Sequence, residues 1–385
     1  CRRLNALFLR QVMAEALLMA HLHGASDVSW RIAMPRALPL VRRQGYLRQM
    51  QELAQQVSED TGVPLTPGIA PVQWAEEGEA VGAYFLHRDE VSGAGFLTMD
   101  VGGGSAELGC WANGVGRTVS LPLGAQSMLL EALLKNPARL TEDFGRVLDH
   151  PQLLRELKEL VAQLTQANQN DHPSKCRFLL DAFLGEQLNP LARHMNLYYE
   201  QGRCTYTQAL LLLNFAFLLM LLGRLRDACG AAADTPVCLA GRGALWLYRL
   251  SPALKKALMP FLNMGQETDA EQALIVSAAP KQEVAQGLLT LTHLSDKPPT
   301  EEKAKGGRVQ LPAGLLTRFL LLFRQQFPQA AARALPRLYD VSGQLTREAA
   351  AMLHAVEENH FPCAAEEELR VLAECLAAVK QSWQE

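Results

Sequence analysis

The sequence lacks any concentration of positive charge. Its 37 lysines and arginines are spread along 385 residues without a basic run, and 40 acidic residues balance them to a net charge of −3. Proteins that hold nucleic acid or anionic lipid through electrostatics alone present a basic patch. We therefore expect neither nucleic acid nor a membrane surface among the partners of this protein.

Paired cysteines are missing as well. The eight cysteines form no CxxC or CxxxC pair, and most of them lie inside apolar segments. This pattern is typical of small buried side chains rather than of metal ligands or disulfides. A reducing, cytoplasmic location fits it best.

No apolar run reaches the ~20 residues that a membrane-spanning helix needs. The longest, residues 209–222, is interrupted only by Asn214, and we predict a buried helix there. The chain opens at Cys1 with an amphipathic helical pattern and nothing that resembles a signal peptide. We expect it to have been cut from a longer chain.

Helical and strand patterns alternate over the first part of the chain. Apolar residues at helical spacing run to His23, a short strand pattern covers residues 28–34, and a second helical pattern covers residues 45–58 and ends at Gly62. This order is typical of an α/β layer structure.

The most informative segment is a strand that leads into three glycines. The apolar residues 94–99 are followed by Asp100, Gly102, Gly103, Gly104 and Ser105. The chain then alternates in polarity through residues 106–111, so the glycines join two strands of a hairpin. Dinucleotide-binding folds and GKS/T phosphate loops are excluded, because in both the glycines open a helix.

This glycine-rich ribbon is chemically suited to phosphate. Glycines allow backbone N–H groups to approach phosphate oxygens closely, and Ser105 adds a hydroxyl donor. Asp100 has the ligand type that a hydrated divalent cation prefers. The alternative is a tight hairpin whose glycines are needed only for positive φ angles.

A second strand and glycine turn follow much later in the chain. Residues 125–234 have a helical, leucine-rich pattern that predicts an insertion into the sheet domain, and residues 237–240 form a buried strand pattern. Gly241, Arg242 and Gly243 come next, before an apolar helix start. The chain after residue 295 is predicted to be a charged loop and then helical.

Five segments in one order resemble the actin, sugar kinase and heat-shock chaperone ATPase superfamily. Residues 100–108 (DVGGGSAEL) resemble its second phosphate motif and residues 237–243 its adenosine loop. Residues 30–45, 76–84 and 280–287 are similar to the "VP" strand with its helix, the connecting helix and the closing helix of the seventy-kilodalton heat-shock chaperones.

The resemblance implies an α/β, ribonuclease-H-like actin-type ATPase fold, in which two lobes bind ATP and Mg²⁺. Residues 1–93 would be the remainder of the first lobe. Residues 94–294 would be the second lobe, with a helical insertion at about 125–234 and the adenosine loop. The resemblance ends at about residue 290, and the pattern of residues 295–385 predicts a helical C-terminal region, which we expect to offer a surface for a protein partner.

The resemblance also implies roles for individual residues. The ribbon Gly102, Gly103, Gly104 and Ser105 would bind the β and γ phosphates, and Asp100 would hold Mg²⁺ through water. Glu76 by similarity to the chaperones, or Glu77 by similarity to polyphosphatases, would orient the attacking water. The alternative for each glutamate is that it is only an exposed acidic residue at a helix N-terminus, where the helix dipole favours negative charge.

The adenosine loop carries the remaining roles that the resemblance implies. Gly241 and Gly243 would let the backbone pass the adenosine. Arg242 stands where the chaperones have a second glycine, and it would stack on the purine, block it, or remain solvated.

One departure from the family keeps the function open. The first phosphate loop, a hairpin with an Asp-x-Gly-Thr type sequence, is absent, so we expect an N-terminally truncated ATPase domain. Whether this chain hydrolyses ATP is left open. The alternatives are an exopolyphosphatase or guanosine pentaphosphatase, which residues 120–124 (SLPLG) favour, and a non-catalytic protein-binding module.

Overall fold

The structure is a computed structural model of the whole chain. It describes residues 2–88, 95–112, 114–121, 123–125, 129–130, 133–134, 136–144, 151–169, 173–263, 273–279, 282–299 and 315–336, with single positions at 91 and between 338 and 350. Within the predicted segments, Ala94, Pro122, Pro280, Lys281 and residues 351–385 lie outside the described residues.

The described elements alternate between strands and helices at first and are mostly helical later. The strands are β1 (Trp30–Met34), β2 (Val72–Glu76), β3 (Phe96–Val101), β4 (Ala106–Ala112), β5 (Val115–Leu121), β6 (Val237–Ala240) and β7 (Leu274–Val276). The helices are α1 (Arg2–Leu22), α2 (Leu40–Thr61), α3 (Glu77–Leu86), α4 (Ala138–Phe144), α5 (Pro151–Gln169), α6 (Pro173–Glu186), α7 (Leu188–Glu200), α8 (Tyr206–Ala228), α9 (Gly241–Tyr248), α10 (Pro252–Asn263), α11 (Glu283–Thr290), α12 (Leu315–Gln326) and α13 (Pro328–Ala334).

The chain forms two compact units. Unit 1 contains Cys1–Arg88 and Gln282–Lys303, and unit 2 contains Asp89–Lys281 and Ala304–Glu385. These units differ from the expected domains, because α11 packs closely against α3 and so joins unit 1 rather than the second lobe. A Cβ on Gly287 of α11 would overlap the carbonyl of Ala80 on α3, which shows how closely the two helices approach.

Unit 1 is built on a parallel pair of strands. β1 and β2 pair in register from Trp30 with Val72 to Met34 with Glu76. α1 and α2 share one apolar core with Ile32 and Met34 on one face of this pair. α2 ends where Gly62 adopts a left-handed conformation (φ +70°) and donates its N–H to Ser58 O, as the sequence predicts.

Unit 2 contains a five-stranded mixed sheet in the order β5, β4, β3, β6, β7. β4 runs antiparallel to both of its neighbours, whereas β3, β6 and β7 are parallel. Helices flank this sheet. The expectation of an α/β fold with mixed sheets and flanking helices is therefore confirmed.

The core of unit 2 is built around α8. Within the part of the chain that the structure describes, α8 is the one helix long and apolar enough to span a membrane, with a mean hydropathy of 1.9. However, 94% of its most apolar window is buried inside the protein. The buried helix predicted at residues 209–222 is confirmed.

A buried carboxylate satisfies the first turn of α8. Asp143 of α4 accepts hydrogen bonds from Tyr206 N (2.8 Å), Thr207 N (2.7 Å) and Thr207 Oγ1 (2.9 Å). Burial raises the pKa of Asp143, while the bonds from Thr207 and Tyr206 and the Arg333 guanidinium act in the opposite direction. Thr205 caps the same turn by accepting from Gln208 N at 3.0 Å.

The described C-terminal helices belong to the same core. Phe319 of α12 makes an edge contact with Phe217 of α8, with ring centroids 5.3 Å apart, and Phe327 stacks on Phe261 of α10 at 6.1 Å. The helical pattern expected after residue 295 is thus present in α12 and α13, where it is packed into unit 2. A partner for this region remains a prediction.

Removal of the Asp143 carboxylate tests how much this cap stabilises unit 2. We expect Asp143→Ala to lower the free energy of unfolding by about 2–4 kcal/mol, because buried N–H groups at the start of α8 lose their acceptor. Urea denaturation measures the change. Glu142→Ala, at the exposed neighbouring position, should change it by less than about 0.5 kcal/mol, and equal effects of the two variants would contradict the assignment.

Candidate functional site

The candidate site begins at the end of the central strand β3. All six residues of β3 are buried. The sheet register pairs Asp100 with Glu107 on β4 and with Ala240 on β6, and it pairs Glu107 with Ser120 on β5. Directly paired residues project from the same face of a sheet, so Asp100, Glu107 and Ser120 form a polar row across three strands.

The two carboxylates of this row need compensation, because both are nearly buried. Asp100 is 8% exposed and Glu107 is 4% exposed, and like charges on directly paired residues destabilise a sheet. Ser120 donates its hydroxyl to Glu107 Oε1 at 2.6 Å. Asp100 lies against Gly241, the first residue of α9, where the positive end of the helix dipole attracts a carboxylate.

The glycine-rich ribbon, residues 102–105, joins β3 to β4 as the sequence predicts. Gly102 donates its N–H to Ser105 O at 2.9 Å and accepts a bond from Ala125 N at 2.9 Å. Gly124 supports the ribbon from one side so closely that a Cβ there would lie 2.5 Å from Ser105 N. Residues 123–125 therefore fix the backbone of the ribbon.

The glycines of the ribbon are not explained by backbone conformation. Gly102, Gly103 and Gly104 are absent from the glycines with positive φ in the described chain, so the alternative of a hairpin that requires such angles is wrong. Gly103 and Gly104 are exposed, and a Cβ on either would meet nothing within 4 Å. Neither conformation nor packing within unit 2 requires glycine at these two positions.

The second glycine turn lies directly against the end of β3. Gly241 has a φ of +72°, and a Cβ on it would overlap Asp100 Oδ1 and lie 2.8 Å from Val101 O. A Cβ on Gly243 would lie 2.6 Å from the same carbonyl. Gly241 and Gly243 thus bring the start of α9 against Asp100, and they form its first turn rather than a loop before it.

Arg242 is the exposed residue between these glycines. Its guanidinium lies near α6, where a Cβ on Gly185 would be 3.4 Å from Arg242 Nη1. The side chain of Arg242 is therefore directed toward α6, which belongs to the helical insertion. Unit 2 contains Asp100, the ribbon and the turn of residues 241–243, which are eight of the ten expected site residues. The other two, Glu76 and Glu77, belong to unit 1.

Glu76 belongs to unit 1, where it stabilises the start of a helix. It is the N-cap of α3, its side chain accepts from the backbone of Glu79, and Glu79 Oε2 accepts from Glu76 N at 3.4 Å. Glu76 Oε1 also lies 3.7 Å from Arg36 Nε. This reciprocal pair is a capping box, which satisfies N–H groups at the helix start.

Glu77, the first residue of α3, is in a different environment. Burial raises its pKa, and the charge of Glu77 in turn contributes to the raised pKa of Tyr46, after burial of the phenol itself. A carboxyl group with a raised pKa is a better candidate for proton transfer than one that caps a helix.

Metal binding at this site would rest on few protein ligands. Among the residues that the structure describes, no group of three or more His, Cys, Asp or Glu side chains could hold a metal ion. Asp100 and Glu107 supply hard carboxylate oxygens at one place, and Mg²⁺ is commonly held by one or two carboxylates together with substrate phosphates. The donor set fits Mg²⁺ in that mode.

Three contributors to the site were missed as site residues from the sequence. Glu107 and Ser120 belong to the polar row, and Gly124 supports the ribbon. A signal was present for Glu107, because pairing of the two strands across the four-residue ribbon places it opposite Asp100. Gly124 gave no local signal, since its contact with the ribbon spans about twenty residues of chain.

Comparisons with known proteins give similarity of structure but none of sequence. No family model matches the chain, and no curated protein matches it by sequence. A crystal structure of the ethanolamine utilization protein EutJ from Carboxydothermus hydrogenoformans is similar, with a TM-score of 0.40 and 12% sequence identity. The match covers 74% of this chain and 75% of that one.

Alanine substitutions at the glycines test the geometry of the site. We expect Gly241→Ala to lower the free energy of unfolding by about 2–4 kcal/mol, because a side chain there is strained at positive φ and overlaps Asp100. Gly103→Ala should change it by less than about 0.5 kcal/mol, because its Cβ enters open space. Urea denaturation distinguishes the two, and a reversed order would refute the described geometry.

The pH dependence of stability tests the environment of Glu77. The pKa of Glu77 is raised above its usual value of 4.5, so folding favours the protonated carboxyl group. The stability that Glu77 contributes is therefore complete below pH 4.5 and is lost as the pH rises through the pKa in the folded state. Glu77→Gln should therefore gain in Tm relative to the unsubstituted protein as the pH rises from about 4 to about 8. A difference in Tm that does not change with pH would rule out this environment.

Proposed function

We propose that this protein binds ATP with Mg²⁺ through the ribbon of residues 102–105 and the start of α9, as an actin-like or heat-shock-chaperone-like ATPase domain. The observation that carries the proposal is the pair Gly103 and Gly104. They are exposed glycines without a conformational or packing requirement, and they lie beside buried carboxylates. A phosphate that approaches the backbone closely would explain why both positions are glycine.

The ribbon supplies neutral donors for phosphate oxygens. Backbone N–H groups of Gly103, Gly104 and Ser105, with the Ser105 hydroxyl, bind an anion without adding charge of their own. Residues 123–125 keep the ribbon in place, so little ordering of the backbone accompanies binding.

The carboxylates make phosphate binding depend on a cation. Asp100 and Glu107 would repel a triphosphate, and Asp100, with Glu107 as its neighbour, would hold the Mg²⁺ needed to offset that repulsion. When bound, the ion supplies Lewis-acid polarisation of the phosphoryl oxygens. Ser120 keeps Glu107 oriented through its 2.6 Å hydrogen bond.

The remaining roles follow from local chemistry. Gly241 and Gly243 would allow the nucleoside to pass the backbone of α9, and Arg242 would remain a solvated or stacking cation beside it. Of the two glutamates, Glu77 is the better candidate to orient water, because Glu76 is engaged in the capping box of α3. Hydrolysis is a further step in this proposal, and binding does not depend on it.

A second candidate is a phosphohydrolase that acts on polyphosphate or guanosine pentaphosphate. One observation favours it. The sequence of residues 120–124 resembles that branch, and Gly124 packs against the ribbon while the adjoining Ala125 donates its N–H to Gly102 O. The absence of a basic run in the sequence disfavours a long polyanion as substrate.

Thermal unfolding of the full chain with added ligands tests the proposal. ATP with Mg²⁺ at about 100 times its Kd should stabilise the protein by about 2.7 kcal/mol, whereas ATP with EDTA should stabilise it much less. Asp100→Asn and Glu107→Gln should weaken the Mg²⁺-dependent shift. Asp234→Asn, an exposed carboxylate in the same unit, is the matched control and should leave the shift unchanged.

Each other outcome assigns a different function. Protection by polyphosphate and not by ATP would replace the proposal by the phosphohydrolase. No protection by any phosphate compound would replace it by a non-catalytic protein-binding module. ATP turnover at equal rates in the unsubstituted protein and in Asp100→Ala would remove the enzymatic part and leave nucleotide binding alone.

A further inference from the structure

The sheet of unit 1 is too narrow for the helices that cover it. α1 and α2 lie side by side on one face of β1 and β2 and share one core with Met34. Two helices packed 8–10 Å apart cover about 20 Å, whereas two strands about 4.8 Å apart provide about 10 Å of sheet. One helix therefore extends beyond the sheet by the width of about two strands.

The edge of β1 is the side on which the sheet can widen. Trp30 donates its N–H to Pro71 O, so alternate amides of β1 face β2, and those of Arg31 and Ala33 face the opposite edge. Within the described residues, no strand pairs with that edge. The outer edge of β2 is already engaged, because Trp74 and Ser295 exchange two backbone hydrogen bonds of 2.9 Å.

α1 carries a second apolar face on its far side from α2. Arg10 of α1 bonds Asp60 of α2 with a 3.0 Å contact from Nε, which marks the side that faces α2. At 100° per residue, the opposite side carries the α1 stripe, which is Phe8, Val12, Ala16 and Met19. All four are exposed, Phe8 to 67% and Met19 to 54%.

Unit 2 contains a similar arrangement of a helix before two parallel strands, but there further strands lie beneath the helix. There α8 precedes the parallel pair β6 and β7, as α1 precedes β1 and β2. The other edge of β6 pairs with β3, which continues into β4, and α8 packs over both of these strands. Its apolar residues are buried, unlike those of the α1 stripe.

The width of the sheet also decides which occupant fits. A second copy that paired edge to edge through β1 would place four helices over four strands, and the excess of helix would remain. Two added strands without a helix on that face remove the excess. Their inner strand would bond the amides of Arg31 and Ala33, and their apolar side would cover the α1 stripe.

We infer that the β1 edge and the α1 stripe form one docking surface for a partner that presents an amphipathic β-hairpin, with its inner strand parallel to β1. Backbone hydrogen bonds to the edge provide the pairing. Alternate apolar side chains on the stripe provide the selectivity for a hairpin of this pattern.

A displayed library of hairpins with a fixed Asn-Gly turn and randomised strands tests the inference against the full chain. Selected hairpins should show apolar residues at alternate positions, and the best synthetic peptide should protect the amides of Arg31 and Ala33 from hydrogen exchange. Val12→Lys with Met19→Lys should weaken its binding by at least about tenfold, because lysine charges would be buried.

Val41→Lys is the matched control for the stripe variant. Val41 lies on α2 of the same unit and is 76% exposed, so its substitution should leave the affinity unchanged. All three positions are exposed, and the variants should keep the circular dichroism melting curve of the unsubstituted chain.

Three results would overturn the inference. The first is a library that yields no binder, or binders that leave the two amides unprotected. The second is equal binding by the stripe variant. The third is a dimer in light scattering that the stripe variant converts to a monomer, which would assign the surface to a second copy of the chain.

Discussion

The close contact between the end of β3 and the start of α9 is the constraint on which the site depends. A side chain at residue 241 would overlap the carboxylate of Asp100, and one at residue 243 would press on the carbonyl of Val101. Because both are glycines, the positive end of α9 reaches Asp100 and stabilises a charge that is nearly buried. The same contact places the second glycine turn beside the ribbon that β3 leads into.

Two buried carboxylates in unit 2 are tolerated because each has hydrogen-bond donors beside it. Asp143 is tolerated in the core because it satisfies the first N–H groups of α8, and Glu107 is tolerated because Ser120 donates to it. The difference between them is informative. Asp143 accepts hydrogen bonds from the first turn of α8 with both of its oxygens. Asp100 and Glu107 instead place two carboxylates side by side on one face of the sheet, which a structural role alone does not require.

Much of this could be predicted from the sequence, because the relevant signals are local. The hairpin around the glycines follows from alternating polarity, the end of α2 follows from Gly62, and the burial of α8 follows from an apolar run too short to span a bilayer. The sequence pattern predicts the start of α9 at residue 244, three residues later than the structure has it. Glycines usually end helices, and here tertiary contact with β3 makes them the first turn.

The sequence by itself determined the elements, the ribbon and the identity of Asp100 as its acidic neighbour, since each depends on residues close together in the chain. Only the tertiary structure decided that Glu107 and Ser120 complete a polar row, that Gly124 supports the ribbon, and that α11 joins unit 1. Sheet register and helix packing join residues that are distant in sequence. Their partners are fixed by burial over the whole unit and not by any local pattern.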